Sequence, residues 1–483
     1  MQFVRTRAIA TVAGLIGAIV VGPVAGALAP LAGASAATRS TYTAAASLSG
    51  PITTGHIIEP LTANPSNLAA NGYMEQEFFA SGTATAFKAT SMPSNGKWKI
   101  APTTTASYRT RIIVRRPESA ARFNGTVVVE WMNVSDGESA PDWDYLNPEL
   151  MSDGYAYVAV SAQAQGVNGG KPILGSPATG LVGSEPARYG SLHHPGDQYA
   201  LDMFAQIARA VGAHSTSALG NLHPTHMVAV GESQSAFYLT TFADALQPLT
   251  HTFDGIFIHS RGGTGAPLSG PLESKQGPSN LRIRTDLRIP VFMSETQTDL
   301  IELGYGAAQQ PNTRWIRTWE LAGTSHADAF IVGPAASILG CTSPVNDGPQ
   351  HYLVQAGFAA FMQWVLKGTP PPSPPPFRLS STKPVTLALD DHGNVIGGVR
   401  TPAVNVPVST LSGAAPKGAS AICSLFGSTI AFTPQMLVSL YQTKNHYLAL
   451  YTASLDKAIK QGFILKADRP ALLTQAQQVA FPS

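Results

Sequence analysis

Short unbroken apolar runs alternate with stretches of helical apolar spacing through the middle of this chain, from residue 126 to residue 367. Unbroken runs are typical of strands that are buried on both faces of a parallel sheet. The predicted strands are 126–132, 155–161, 227–230, 253–259, 289–294 and 314–321. The predicted helices are 143–151, 196–211, 299–309 and 350–366, with a further one directly after residue 233. This order predicts an α/β fold with a mainly parallel sheet and helices on both faces.

The segments around this core have a different pattern. Alternating polar and apolar residues at 73–87 and 108–116 predict antiparallel strands. Two polar, Gly- and Pro-rich loops, 163–196 and 261–287, follow predicted strands. We expect these loops to wall a pocket at the sheet edge, with Trp143, Arg261 and His193 near it.

A proline run at 370–376 ends the alternating region. Such a run favours an extended linker and cannot continue a helix. Residues 377–483 predict a small C-terminal subdomain that packs on the main domain, which spans 38–369. Within this subdomain the predicted elements are a strand at 385–389 and helices near 434–442 and 447–461.

The N-terminus has the pattern of an export signal. Arg5 and Arg7 precede an uncharged stretch at 8–37, and the small residues at 34–36 fit a cleavage site. We therefore expect residues 1–37 to be a signal peptide and the mature protein to be secreted or extracytoplasmic. Once the signal is removed, we expect no association with a membrane. The competing interpretation is an uncleaved anchor, because the stretch is long enough to span a bilayer.

Composition narrows the function classes. The chain has 483 residues, of which 12 % are charged, and its net charge is +2. With no basic face evident, nucleic acid is not an expected partner. Hydrophobic residues make up 44 % of the chain, which excludes wholesale disorder and allows one large core.

The chain has two cysteines, Cys341 and Cys423. Two cysteines in an exported protein predict one disulfide, and the alternative is a pair of buried free thiols. No neighbouring His or Cys completes a metal-ligand set, so no metal is expected.

The chemistry centres on Ser233, in the sequence Val228-Ala229-Val230-Gly231-Glu232-Ser233-Gln234-Ser235. A strand that meets a tight Gly-x-Ser-x-small turn before a helix presents the serine as a nucleophile. The five-residue pattern alone is weak in a chain with 45 glycines, and it recurs at 33–37 and 323–327. Neither of those copies has both an apolar strand directly before the turn and a helix directly after it, so context selects Ser233.

A serine nucleophile needs a base and an acid that orients the base. Loops after the carboxyl ends of later parallel strands are expected to supply both. His326 follows the last predicted strand and is the candidate base. Asp299 follows strand 289–294 and is the preferred acid, although it could instead be a helix N-cap. Glu295, at the end of that strand, is the competing acid.

Donors for an oxyanion complete such a site. The backbone N–H of Gln234 is one candidate by position, and the other is the N–H of Asn133 or Val134, after strand 126–132. Residues 133–135 also match a glycosylation acceptor, but a glycan there would block the site.

The order Ser, Asp, His, each after its own strand, resembles the α/β-hydrolase superfamily over residues 73–367. The chain is also similar to bacterial secreted "α/β hydrolase domain" proteins. The stretches that carry this resemblance are 73–79, 129–135, 231–235, 322–328 and 397–400. The resemblance implies the α/β-hydrolase fold and a serine hydrolase with Ser233 as nucleophile, Asp299 as acid and His326 as base. One departure is Ser235, where the superfamily's elbow usually has glycine.

Together these features predict an exported serine hydrolase that cleaves small-molecule or polymeric carboxylic esters through an acyl-enzyme, without metal or organic cofactor. Two alternatives stay open at this level. The same three residues could serve acyl transfer or peptide cleavage, since these reactions differ in which nucleophile reaches the acyl-enzyme. The chain could also be a non-catalytic surface-binding protein on a hydrolase scaffold.

Overall fold

The computed structural model describes residues 42, 44–62, 67–173, 175, 177–213, 217–272, 274, 277–333, 336 and 340–481. The predicted signal at 1–37 lies outside the described residues. The chain from Thr41 to Ser483 forms one compact unit. Within the described ranges, no helix combines the length and the apolar character needed to cross a membrane.

One large sheet organises the described chain. Its strands are β1 (Ser47–Ser49), β2 (Tyr73–Ser91), β3 (Lys99–Pro117), β4 (Thr126–Trp131), β5 (Ala156–Val160), β6 (His226–Glu232), β7 (Gly255–His259), β8 (Val291–Glu295) and β9 (Ile316–Glu320). They are arranged in the order β1-β2-β3-β5-β4-β6-β7-β8-β9. The strands from β5 to β9 in this order pair parallel, and β1, β2 and β3 join antiparallel at one side. The predicted mainly parallel sheet is confirmed.

Helices connect these strands. They are α1 (Pro141–Ser152), α2 (Ala164–Asn168), α3 (Gly180–Ser184), α4 (Pro186–Tyr189), α5 (Ala200–Gly212), α6 (Gln234–Thr241), α7 (Gln247–Thr250), α8 (Gln297–Ile301), α9 (Ala329–Val332) and α10 (Gln350–Lys367). Short 3-10 turns lie at Ala69–Asn71, Ala120–Arg122, Asp197–Tyr199 and Tyr305–Ala307, and Phe242–Leu246 is a π-helical turn.

Helices cover both faces of the sheet, and strand β6 shows how. Val228 and Val230 face one side, in the same buried cluster as Phe358 of α10. Ala229 points the other way, into the cluster that contains Phe204 of α5. Because successive side chains of a strand alternate between faces, an unbroken apolar strand needs a core on each side.

The C-terminal region adds two small two-stranded sheets and further helices. Their bounds are β10 (Leu379–Thr382), β11 (Val385–Leu387), α11 (Pro402–Asn405), β12 (Ser409–Ser412), β13 (Ser428–Ala431), α12 (Pro434–Tyr441), α13 (Lys444–Lys460) and α14 (Arg469–Gln478), with 3-10 turns at Cys423–Leu425 and Lys466–Asp468. Tyr447 and Leu455 of α13 share the buried cluster of Phe358. The division into two domains at 370–376 stays a prediction.

Three details differ from the predicted elements. The helix expected at 299–309 is two short pieces, because Gly304 adopts φ 75° and interrupts it. The loop 163–196 contains α2, α3 and α4. Helix α14 was not predicted, since its apolar residues show almost no preference for one face.

Candidate active site

Ser233 lies in a strained turn between β6 and α6. Its backbone has φ 57° and ψ −119°, a region that non-glycine residues rarely adopt. Its N–H donates to the carbonyl oxygen of His259 at 2.9 Å, which ties the turn to the end of β7. A Cβ at Gly231 would lie 2.9 Å from Leu239 Cδ1 and 3.0 Å from the Cβ of Ser235. The turn therefore needs glycine before the serine, and it accommodates the small Ser235 after it.

The structure brings Ser233, His326 and Asp299 together. Nε2 of His326 lies 2.7 Å from Oγ of Ser233, and Nδ1 of His326 lies 2.6 Å from Oδ1 of Asp299. Asp299 is fully buried, and His326 is 4 % exposed. The three side chains form one continuous hydrogen-bonded chain, the arrangement in which an imidazole can take a proton from a serine hydroxyl.

Asp299 is held by its own helix. Its Oδ2 accepts the Thr296 N–H at 2.6 Å, and Thr296 Oγ1 accepts the Asp299 N–H at 3.3 Å. This is a capping box in which Thr296 is the N-cap and Asp299 the third helical residue. The alternative of Asp299 as the N-cap is therefore wrong. The cap fixes one carboxylate oxygen and leaves the other for His326.

Glu295 does not take the place of Asp299. It is fully buried at the end of β8, and burial raises the pKa of its carboxyl well above the ordinary value. Nδ1 of His326 is bonded to Asp299 instead. Burial therefore disfavours the ionised form of Glu295, which is the form that would orient the imidazole.

Opposing effects set the pKa of His326. Burial lowers it, but the carboxylates of Asp299 and Glu232 raise it by more, so the pKa of the imidazole lies above its ordinary value. The carboxylates favour the charged form of the ring, which is the form that would arise after it takes a proton.

The three predicted oxyanion donors have different surroundings. The Asn133 N–H donates to the carbonyl oxygen of Ser139 at 2.9 Å, in a backbone bridge, so this donor is already used within the protein. The Val134 N–H donates to Oε1 of the Gln234 side chain at 2.9 Å. Gln234 is the first residue of α6, where backbone N–H groups have no partner within the helix. Val134 and Gln234 thus face one another beside Ser233.

Glu232 is a further residue of the site, and it is not among the residues predicted from the sequence. Its Oε1 lies 3.6 Å from Nε2 of His326, and the Asn133 side-chain amide donates to its Oε2 at 3.4 Å and to its carbonyl oxygen at 3.2 Å. Burial raises the pKa of Glu232 to about 7, although two histidines lower it. The sequence did contain a signal for it. Glu232 lies at the end of an apolar strand and next to the candidate nucleophile, and burying a carboxylate there costs free energy unless it has hydrogen-bonded or charged partners.

A cavity of about 620 Å³ opens onto Ser233 and His326. Ile173 and Leu272, from the two predicted wall loops, line it. Trp143, Arg261 and His193 are not among its lining residues. Trp143 is instead packed under the guanidinium of Arg115, and His193 bonds to Ser107. Most of the lining is apolar.

The C-terminal region forms one wall of this cavity, which the sequence did not reveal. Ile422, Leu425 and Phe426 line it, and a disulfide joins the intervening Cys423 to Cys341. The Ala327 N–H, next to His326, donates to the carbonyl oxygen of Leu425 at 3.1 Å. The region therefore contacts the loop that carries the imidazole.

The same region also contacts the loop that carries the acid. Thr298 Oγ1 donates to the carbonyl oxygen of Gly413 at 2.6 Å, and the Gly413 N–H donates to Oε1 of Gln297 at 3.0 Å. A Cβ at Gly413 would lie 2.6 Å from the Cβ of Gln297, so only glycine allows this approach.

In the part of the chain that the structure describes, no group of three or more His, Cys, Asp or Glu side chains could hold a metal ion.

Comparison with known proteins identifies the family of this chain. The model of the family described as "Alpha/beta hydrolase domain" matches residues 48–474. One similar solved structure is a Klebsiella pneumoniae protein assigned as a dienelactone hydrolase, with 15 % identity and a TM-score of 0.33 over 59 % of this chain and 99 % of that one. Another is a fungal esterase from Rhizomucor miehei, with 11 % identity and a TM-score of 0.31 over 65 % of this chain and 94 % of that one. No curated protein matches the chain.

Proposed function

The chain belongs to the alpha/beta hydrolase domain family, and we propose that it is a serine hydrolase that cleaves carboxylic esters. The observation that carries this proposal is the continuous hydrogen-bonded chain from Ser233 Oγ through His326 to Asp299, at 2.7 Å and 2.6 Å. These distances are within the reach that a general base and its orienting acid require.

In the proposed reaction, Ser233 Oγ attacks the acyl carbon while Nε2 of His326 takes its proton. The C–O bond to the alcohol then breaks, and His326 returns the proton to the leaving oxygen. Water attacks the acyl-enzyme in the same way and regenerates Ser233. Asp299 holds the imidazole tautomer and stabilises its positive form. The buried setting supports this role, because charges interact more strongly away from water.

The oxyanion would lie between the N–H groups of Gln234 and Val134. The start of α6 adds the positive end of the helix dipole there. The Val134 N–H now bonds to the Gln234 side chain at 2.9 Å. A substrate oxyanion would replace that amide oxygen, so the Gln234 side chain must turn aside when substrate binds.

We also propose that the protein is exported and acts outside the cytoplasm. Arg5, Arg7 and the uncharged stretch that follows them support a signal peptide. The disulfide between Cys341 and Cys423 agrees with an oxidising compartment, where such bonds persist.

A fluorophosphonate probe tests the nucleophile. The wild-type protein should be labelled at Ser233, and Ser233→Ala should lose both the label and ester hydrolysis, because no other hydroxyl touches His326 Nε2 among the described contacts. Ser235→Ala is the matched control: it removes a buried hydroxyl from the same turn and should keep both. Equal labelling of wild type and Ser233→Ala would overturn the assignment.

A further inference from the structure

The cavity above Ser233 has an uneven charge. None of its described lining residues is a lysine or an arginine, whereas two, Asp136 and Glu232, are acidic. The apolar wall includes Leu61, Leu303, Ile331 and Phe426. A site that binds a carboxylate or phosphate substrate normally supplies Arg or Lys to pair with it. This lining offers an anionic substrate no such partner.

Glu232 is the acidic group nearest to the reacting atoms. It follows Gly231 and precedes Ser233, and it is only 7 % exposed. Its Oε1 is 3.6 Å from His326 Nε2, and the Asn133 amide holds its Oε2. A charge fixed here lies next to any acyl group on Ser233, and the apolar lining leaves little water to screen it.

The charge on Glu232 depends on its neighbours. The titratable groups that interact with it come from the loop after β9, from β7, from α8 and from α1: His326, His259, Asp299, Asp142 and Tyr145. Burial raises the pKa of Glu232 to about 7 and the two histidines lower it. The carboxyl is therefore ionised above about pH 7 and neutral below it.

We propose that the site selects neutral, apolar esters and rejects anionic ones, and that Glu232 is the residue that makes this selection. This inference rests on the proposed function and names its substrate class. The apolar wall binds the hydrocarbon part of the ester, and the Glu232 carboxylate repels a second negative charge near the acyl carbon.

Two esters of equal acyl length test this charge selection. They are p-nitrophenyl pentanoate, which is neutral, and the p-nitrophenyl monoester of glutaric acid, which carries a carboxylate at the end of the same five-carbon chain. With the purified full chain at pH 8, we expect kcat/KM for the neutral ester to exceed that for the anionic ester by at least about tenfold, since like charges repel strongly away from water.

Glu232→Gln should reduce this ratio severalfold, because it keeps the shape and removes the charge. The ratio cancels any effect of the substitution on His326, since both esters use the same base. Asp391→Asn is the matched control: Asp391 is exposed on a turn before Asn394, so its loss changes net charge equally and should leave the ratio unchanged.

The wild-type ratio at pH 6 gives a second measurement that needs no variant. Glu232 gains a proton as the pH falls through about 7, so the preference for the neutral ester should shrink between pH 8 and pH 6. A ratio near one at pH 8, or one that neither Glu232→Gln nor pH changes, would overturn the inference while ester hydrolysis itself stands. Hydrolysis of neither ester, with no probe label at Ser233, would instead overturn the proposed function and this inference with it.

Discussion

Asp299 serves two partners with its two carboxylate oxygens. Oδ2 caps its own helix through the Thr296 N–H, and Oδ1 bonds to Nδ1 of His326. The cap limits the rotation of the carboxylate, so the oxygen that faces His326 is already in position before substrate binds. At this scale a single side chain combines local helix stability with orientation of the imidazole.

Replacing each of the two acids, Asp299 and Glu295, with its amide separates their roles. Asp299→Asn should lower kcat/KM by about 10³–10⁴-fold, because an amide cannot hold the imidazole tautomer or stabilise its charge. Glu295→Gln should keep activity close to wild type, because Nδ1 of His326 is bonded to Asp299 and not to Glu295. Steady-state kinetics on a p-nitrophenyl ester provide the measurement. A larger loss in Glu295→Gln than in Asp299→Asn would assign the acid to Glu295.

The pH profile tests the state of His326. The base must be neutral, so activity is present above the pKa of His326 and is lost as the pH falls through it. Because the neighbouring carboxylates raise that pKa, the acid limb of kcat/KM for a neutral ester should have its midpoint above 6.5. Glu232→Gln removes one of those carboxylates and should move the midpoint to lower pH. A midpoint at or below 6.5 in the wild type would contradict this.

At the scale of elements, strand ends and helix starts carry the site. Ser233 lies between β6 and α6, and Asp299 lies in the first turn of α8, directly after β8. His326 follows β9. The carboxyl ends of parallel strands meet at one edge of the sheet, so residues that are 93 positions apart in sequence come within hydrogen-bond distance.

The cap of α8 can be weakened without replacing Ser233, His326 or Asp299. Thr296→Ala removes the oxygen that accepts the Asp299 N–H and should lower the free energy of unfolding by about 1 kcal/mol. It should also lower kcat/KM, since Asp299 loses part of its support. Thr443→Ala removes the equivalent cap of α13, where Thr443 accepts the His446 N–H, and should cost similar stability without loss of activity. Urea unfolding and ester kinetics compare the two, and equal activities would show that the cap does not position Asp299.

At the scale of the whole molecule, the C-terminal region closes the site. It wraps back so that Gly413 contacts the acid loop, Leu425 bonds beside His326, and Ile422 and Phe426 line the cavity. The disulfide at Cys423 anchors this wall to the segment after α9. A region more than a hundred residues after Ser233 thus shapes the space in which an acyl group would lie.

Removing the disulfide should loosen this wall. Replacing Cys341 and Cys423 together with serine should lower the free energy of unfolding by about 4 kcal/mol, because the crosslink closes a long loop. We expect KM for p-nitrophenyl octanoate to rise more than KM for the acetate, since only the longer chain reaches the wall. Thermal unfolding and a chain-length panel measure both effects. An equal change for the two esters would show that the wall does not contact the acyl chain.

The order of strands and helices, the elbow at Ser233, the acid and base loops and the pairing of the two cysteines could all be predicted from the sequence. The pairing follows from there being two cysteines in a chain with an export signal. The other features depend on local signals: an unbroken apolar run, a Gly-x-Ser turn, or a polar residue directly after a strand. These signals lie within a few residues of the position they describe, so they can be recognised without knowledge of the fold.

How those elements and residues are used depends on contacts made in the folded protein. In the folded protein, Nδ1 of His326 is bonded to Asp299 and not to Glu295. The Asn133 N–H is bonded to Ser139, and Glu232 lies beside His326. The C-terminal region lines the cavity, and the helix expected at 299–309 ends at Ile301. These outcomes depend on side-chain direction and on contacts between segments far apart in sequence. Apolar periodicity carries no information about either, because it reports burial and not the identity of the partner.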